Sequence, residues 1–262
     1  MKPSPPWPFD VAQRNPRTWK ISSKICISLV GAISKFWCNI LNRTNCVDMD
    51  QLMDLVKNRD EKVGLITVSN HHSCLDDPVL FGNMPLNILT FTNDKMRWAL
   101  GASEICYTNK LFSYFFALGR VLPVIRGNGV FQPSMQYILQ RLNEGSWIHL
   151  FVEGGVNETH EKKRIKWGVG RLIQDAKTLP IILPIWHCGM DDILPNKEPY
   201  FPRVGKKVTL VVGKPIYLSG LLRQLRETSK QPQQIWKGLA DKIQEELHKL
   251  QDEAERIHYC DR

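Results

Sequence analysis

No C-x-x-C pair occurs in this 262-residue chain, and its seven cysteines (26, 38, 46, 74, 106, 188 and 260) are odd in number and scattered. That pattern excludes a disulfide framework and a zinc ribbon; it fits reduced cysteines used as small hydrophobes. G-x-S-x-G is missing, which disfavours a serine-hydrolase elbow. His160-Glu161 fails the metalloprotease pattern, because Arg164 stands where a second His is required. Gly168-Val169-Gly170 leads to Ile173 rather than Gly and lacks a preceding strand, so it is no dinucleotide fingerprint. No metal site is expected. Mean hydropathy is −0.26, whereas several apolar spans of about 20 residues would push it well positive. Residues 1–17 contain neither an apolar h-region nor a small-residue cleavage site, so no secretory leader is expected. Repeats and low-complexity tracts are absent as well.

What is present is an ordinary globular composition, with 43% hydrophobic and 23% charged residues, on a chain long enough to bury about three quarters of its surface. The net charge of +9 is concentrated at the front: residues 1–46 hold seven Lys or Arg against Asp10 alone. The rest nearly balances. A basic front end suggests an anionic surface as partner, nucleic acid or lipid headgroups.

Prolines 3, 5, 6, 8 and 16 argue against a helix before about residue 18. From 21 to 41, Ile21, Ile25, Leu29, Ile33, Phe36 and Ile40 recur at helical spacing, beside a narrower polar stripe of Lys24, Ser28, Lys35, Asn39 and Asn42. Only residues 25–34 lie between Lys24 and Lys35. At 1.5 Å per residue they span about 15 Å, against a hydrocarbon core of about 30 Å. Two arrangements follow: the helix lies in the membrane interface plane, or it packs on the domain itself. The basic surroundings favour the first, a peripheral or monotopic attachment.

Beyond this arm (1–45), the body (46–262) alternates element types. Apolar runs at 63–68, 122–125, 147–152, 181–186 and 208–212 read as buried strands. Helical patterns occupy 51–57, 110–118, 132–142, 167–176 and 233–255; the last carries Ile235, Leu239, Ile243, Leu247 and Leu250 on one face, for packing on the sheet. The expected fold is α/β, a single domain with a central β-sheet flanked by helices.

The strand at 63–68 stops at Ser69-Asn70 and is followed by His71-His72-Ser73-Cys74-Leu75-Asp76-Asp77-Pro78. Asp77-Pro78 reads as an N-cap before Pro at the first helical position. Two histidines and two aspartates therefore occupy a strand-to-helix turn, where open α/β sheets place ligands. A carboxylate folded onto an imidazole fixes its tautomer and leaves the other nitrogen to accept a proton from a hydroxyl. His71 with Asp76 and His72 with Asp77 both fit; a capping Asp77 would leave Asp76 free and favour His71. Against this stands the plain alternative of polar turn residues. Further strand ends carry Arg126, after Gly119 to Ile125; Glu153, exposed at a Gly turn in Phe151-Val152-Glu153-Gly154-Gly155; and Leu183-Pro184-Ile185.

In order and spacing these four segments resemble the four blocks of the glycerolipid acyltransferase family, H-x4-D, Gly…Arg, F-P-E-G and a Pro block, within about residues 60–215. Lys166-Trp167-Gly168-Val169-Gly170-Arg171, Trp186-His187-Cys188-Gly189-Met190 and Tyr200-Phe201-Pro202-Arg203 are similar to one branch of that family. The resemblance implies a mitochondrial phospholipid–lysophospholipid transacylase that remodels cardiolipin without CoA, with His71 and Asp76 as catalytic dyad. Arg126, Phe151, Glu153 and Gly154 would hold the phosphate and glycerol end of the acceptor. The partners implied are phospholipids and a cardiolipin-rich anionic membrane facing the intermembrane space, with room for a homo-oligomer. No cofactor is implied, since exchange between two esters is nearly thermoneutral. The chain departs from the family in Val152, where Pro is usual, and Gly155, where Lys or Thr is usual. Oxyanion donors are expected from backbone N–H groups near Gly154 or the turn after Asn70, and Lys162, Lys163, Arg164, Lys166 and Arg171 suit anionic headgroups. An acyl-CoA-dependent lysophosphatidate acyltransferase shares every block. A nucleic-acid binder is disfavoured, because the basic charge surrounds an amphipathic helix rather than stacking aromatics.

Overall fold

A computed structural model describes residues 7–85, 88–89, 95–198 and 200–260. Pro3, Pro5 and Pro6 lie outside these. Seven strands form one sheet among the described residues: β1 (Arg43–Val47), β2 (Leu65–Ser69), β3 (Trp98–Ala102), β4 (Val121–Val124), β5 (Trp147–Phe151), β6 (Ile181–Cys188) and β7 (Lys207–Val212). Their order is β1-β7-β6-β2-β5-β3-β4. Every pairing is parallel except β6 with β7. The central β2 is buried along its whole length, as a near-continuous apolar run between two helix layers requires. The α/β class is therefore as expected.

The expected strands match five of the seven. β1, Arg-Thr-Asn-Cys-Val, is a half-exposed edge strand with too little apolar content to stand out. It crosses residue 45 and pairs with β7, so the sheet begins inside the segment read as arm. β3, Trp-Ala-Leu-Gly-Ala, carries small residues of low strand preference.

Helices cover both faces. On one side Pro133–Asn143, Gly168–Asp175 and the 29-residue Pro232–Cys260 pack over the sheet. The last buries Ile235, Leu239, Ile243, Leu247 and Leu250, the face its periodicity marks. Gly170 explains its own motif here. A Cβ at this position would come within 2.1 Å of the Trp236 carbonyl oxygen, so the glycine serves helix–helix approach rather than phosphate binding. The other side is covered by α2 (Pro16–Phe36), α3 (Met49–Asn58) and α4 (Asp76–Gly82), whereas α1 (Phe9–Arg14) and α5 (Lys110–Leu118) place Phe9 and Ala117 in the core of the first side.

The structure starts helix earlier than the prolines suggested, at Phe9 in α1 and at Pro16 in α2. Pro16 occupies the first helical position, where a missing N–H costs nothing. The helix continues into a π-helical turn at Trp37–Leu41. By length and composition alone, Pro16–Leu41 is long and apolar enough to cross a membrane. Its packing is one-sided, however. Ser23, Ile27, Gly31 and Ser34, spaced one turn apart, are buried against the domain. Ser23 Oγ donates to the Leu118 carbonyl (2.6 Å), Ser28 Oγ to that of Leu89 (3.0 Å) and Lys35 Nζ to that of Met84 (3.2 Å). The large residues Ile21, Ile25, Leu29, Ile33, Phe36 and Ile40 face outward, each 54–68% exposed. Small residues inside and large ones outside reverse the usual surface helix.

Candidate active site

The parallel strands β2 and β5 end side by side, Ser69 opposite Phe151. The turn after β2 is fixed from the neighbouring strand β6: the buried Asn70 side chain donates from Nδ2 to the His187 carbonyl (2.9 Å) and accepts at Oδ1 from the His187 N–H (3.0 Å). Ser73 Oγ donates to Leu194 O (2.9 Å), and Asn196 Nδ2 to His72 O (2.8 Å). This anchored turn carries His71 to Asp76. His71 Nδ1 lies 2.8 Å from Asp76 Oδ2, and the same oxygen accepts the backbone N–H of His72 (2.7 Å) and Ser73 (3.0 Å).

Asp76 is fully buried. Burial alone would raise its carboxyl, yet the charge and hydrogen bonds of His187 and His71 hold it well below the usual range. His187 is buried as well, with Nε2 3.4 Å from Asp76 Oδ2. Against desolvation, the carboxylate raises its pKa. His72 titrates oppositely: burial, then the neighbouring His187 and His160, push it down to about 3. With Asp76 holding Nδ1, the Nε2 of His71 is the nitrogen left to exchange a proton.

Asp77 differs from expectation. α4 begins at Asp76 with Leu75 as N-cap and no capping side chain. Asp77 instead forms a two-point ion pair with the buried Arg97, whose Nε lies 2.9 Å from Oδ1 and whose Nη2 contacts Oδ2. Asp76 is thus the carboxylate nearest His71 for a reason other than capping.

His71 opens into a cavity of about 1390 Å³. Arg126, Phe151 and Gly154 line it too, whereas Glu153 does not. Phe151 lays its ring flat on His71, centroids 4.2 Å apart. Arg126 is held by Glu104, Nε to Oε1 2.5 Å, and lies over Gly155, where a Cβ would come within 3.4 Å of Nη1. Gly154 adopts φ +77°, a left-handed turn suited to glycine. Glu153, expected to be exposed, is half-buried, and that burial raises its carboxyl. Val152 is buried, and its N–H donates to Ser69 O (3.3 Å), a bond the family's usual Pro could not make.

Of the backbone N–H groups in the two segments expected to supply oxyanion donors, those of His72 and Ser73 are engaged by Asp76 and that of Gly154 by Phe151 O (3.2 Å). The expected basic cluster is dispersed. Arg171 is buried with Asp175, Lys162 pairs with Asp252, and only Arg164 and Lys166 reach the cavity. Asn157 is buried with its amide donating to Glu161 O (2.8 Å), which ties the two ends of the following loop together. His187, Asn70 and Arg97 were not singled out as site residues from the sequence. The signals for them were a histidine and an arginine set in or beside apolar runs.

The acyltransferase family model matches residues 45–188. A Drosophila melanogaster protein named Tafazzin is 42% identical over 96% of this chain and 66% of its own length. A Dictyostelium discoideum Taffazin is 35% identical over 87% of this chain and 86% of its own. The chain belongs to the tafazzin branch of the acyltransferase family. An Arabidopsis thaliana N-acylphosphatidylethanolamine synthase, 39% identical over 78% of the chain and 74% of its own length, is a further relative of this tafazzin-family enzyme. In fold it is similar to the 1-acyl-sn-glycerophosphate (LPA) acyltransferase of Thermotoga maritima, with TM-score 0.56 and 17% identity over 87% of this chain and 78% of that one. As a tafazzin-family chain it is an acyltransferase. It spans about two thirds of the Drosophila relative's length.

Proposed function

We propose that this chain is a CoA-independent phospholipid–lysophospholipid transacylase acting on cardiolipin at a mitochondrial membrane facing the intermembrane space. The observation that carries this reading is the His71–Asp76 pair opening into a cavity of about 1390 Å³ whose walls are mainly apolar. Ile27, Val30 and Gly31 of α2 form part of that wall, so acyl chains would enter beneath the helix. His71 Nε2 takes the proton of the lysolipid hydroxyl as its oxygen attacks the donor ester carbonyl; the tetrahedral adduct then expels the donor's glycerol oxygen, which receives the same proton. Asp76 orients the ring and stabilises the transient imidazolium. Arg126, Arg164 and Lys166 at the cavity would bind the acceptor's phosphate, and Glu104 must yield Arg126 for this to happen. Glu153 and Gly154 shape that turn.

Membrane attachment would use the outward face of α2. Burying its six large side chains, at about 1.5–3 kcal/mol each before discounting for partial insertion, would contribute several kcal/mol. The surface is wider than this helix: Leu111, Phe112 and Phe115 of the adjoining α5 are also exposed. The hydrogen bonds from the Ser23, Ser28 and Lys35 side chains to backbone carbonyls of the domain favour a helix lying along the surface with it over one that crosses.

The test is label transfer from phosphatidylcholine in CoA-free buffer to lysocardiolipin, with phosphatidylethanolamine as an amine acceptor and acyl-CoA as an alternative donor. Label in cardiolipin without CoA supports the proposal. Label moving only from acyl-CoA makes the enzyme a lysophosphatidate-type acyltransferase, and label only on the amine makes it an N-acyl transferase.

A further inference from the structure

Behind the turn that carries His71, three ligand-bearing side chains converge from separate segments. His72 belongs to the turn after β2, His160 to the loop after β5, and Asp191 to the short helix Met190–Ile193 after β6. One potential ligand atom of each lies within 4.8 Å of the other two. His160 Nε2 is 2.9 Å from Asp191 Oδ2, and the rings of His72 and His160 face each other with centroids 4.2 Å apart. We propose that His72, His160 and Asp191 form a site for a single divalent transition-metal ion of the zinc class, separate from the acyl-transfer centre.

Donor chemistry sets the class. Two imidazoles and one carboxylate suit zinc, cobalt, nickel or copper, whereas calcium and magnesium take oxygen donors. Bonds of about 2.0–2.2 Å to a tetrahedral ion place its ligand atoms roughly 3.3–3.6 Å apart. The His160–Asp191 pair is already within this, and binding an ion requires the stacked rings of His72 and His160 to turn so that their nitrogen lone pairs converge on it. The site is also accessible. His160 and Asp191 are 40% and 30% exposed in their side chains, which leaves an entry path and room for water on the ion. No local motif announces these residues, because they stand 88 and 31 positions apart in the chain. The fold assembles them when the ends of β2, β5 and β6 come together. A bound ion would tie the 154–166 loop, which closes the cavity wall at Arg164 and Lys166, to the turn of His71.

Cobalt(II) titration of the full chain after chelation, followed by visible absorption and by melting temperature, tests this. One equivalent should bind without a thiolate charge-transfer band and should raise the melting temperature. His160 has φ +58°, which asparagine tolerates. His160→Asn therefore removes the imidazole while keeping the backbone, and Asp191→Ala provides an independent removal. Each should weaken cobalt binding by more than the roughly 10–100-fold typical of outer-shell changes, with the metal-free circular dichroism unchanged. Failure of the wild type to bind, equal binding by both variants, or a thiolate band placing the ion on Cys74 or Cys260 would each overturn the proposal.

Discussion

His187 stands 3.4 Å from the same Asp76 oxygen that holds His71 at 2.8 Å. One buried carboxylate thus serves two imidazoles, one lining the cavity and one enclosed behind it. We expect His187→Gln to raise the pH at which the Asp76 contribution to stability is lost on the acid side, since Asp76 loses the larger of its two stabilising charges. Stability should change in a defined window. The Asp76 contribution is present above its unfolded pKa of about 4 and lost as pH falls further; the His187 contribution is present below about 6.5 and lost as pH rises through its elevated native value. In His187→Gln the alkaline-side loss should vanish from urea midpoints measured across pH. An unchanged profile would mean that His187 is neutral throughout.

Asp77 and Arg97 form a largely buried ion pair, with Arg97 6% exposed. Asp77→Asn leaves a guanidinium without its charge partner, and about 3 kcal/mol of stability should be lost, at the low end for breaking such pairs. Label transfer per folded molecule should remain near wild type. Loss of transfer at full stability would instead make Asp77 part of the chemistry.

Arg126 should bind rather than catalyse. A guanidinium on a phosphate holds ground and transition states alike, so Arg126→Ala should raise KM for the acceptor more than it lowers kcat. Arg126→Lys should recover only part, lacking the planar two-point contact. Glu104→Gln, which releases Arg126 from its present partner, should lower KM. A rise in KM for Glu104→Gln would show that the ion pair positions Arg126 for binding.

The outward stripe of α2 is testable by charge. Leu29→Glu with Ile33→Glu places two carboxylates in it and should move the protein to the soluble fraction, while sparing transfer between detergent-dispersed lipids. Should the double variant still sediment with vesicles, the exposed Leu111, Phe112 and Phe115 carry the attachment. The apolar run at 86–91 lies mostly outside the described residues.

The long helices and five strands were legible because their periodicity is local. The pairing of His71 with Asp76 was legible because both sit in one short turn. What escaped the sequence depends on neighbours distant in the chain. Asp77 looked like a cap because nothing nearby competes for it, whereas Arg97, 20 residues on, captures it once β3 is in place. His187 meets Asp76 only because β6 pairs with β2 in the register Ser69 opposite Ile185. On α2, the periodicity of the large residues was plain but not its direction; the small residues Gly31 and Ser34 fit against the domain, where Gly82 and Leu89 leave little room.

The most direct test is label transfer per folded molecule, in CoA-free buffer, by His71→Ala compared with His72→Ala. His71→Ala and Asp76→Asn should lose transfer by roughly the 10²–10⁴-fold typical of a general base, whereas His72→Ala should keep much of it. Full activity in His71→Ala, or an inactive but folded His72→Ala beside it, would contradict the central assignment.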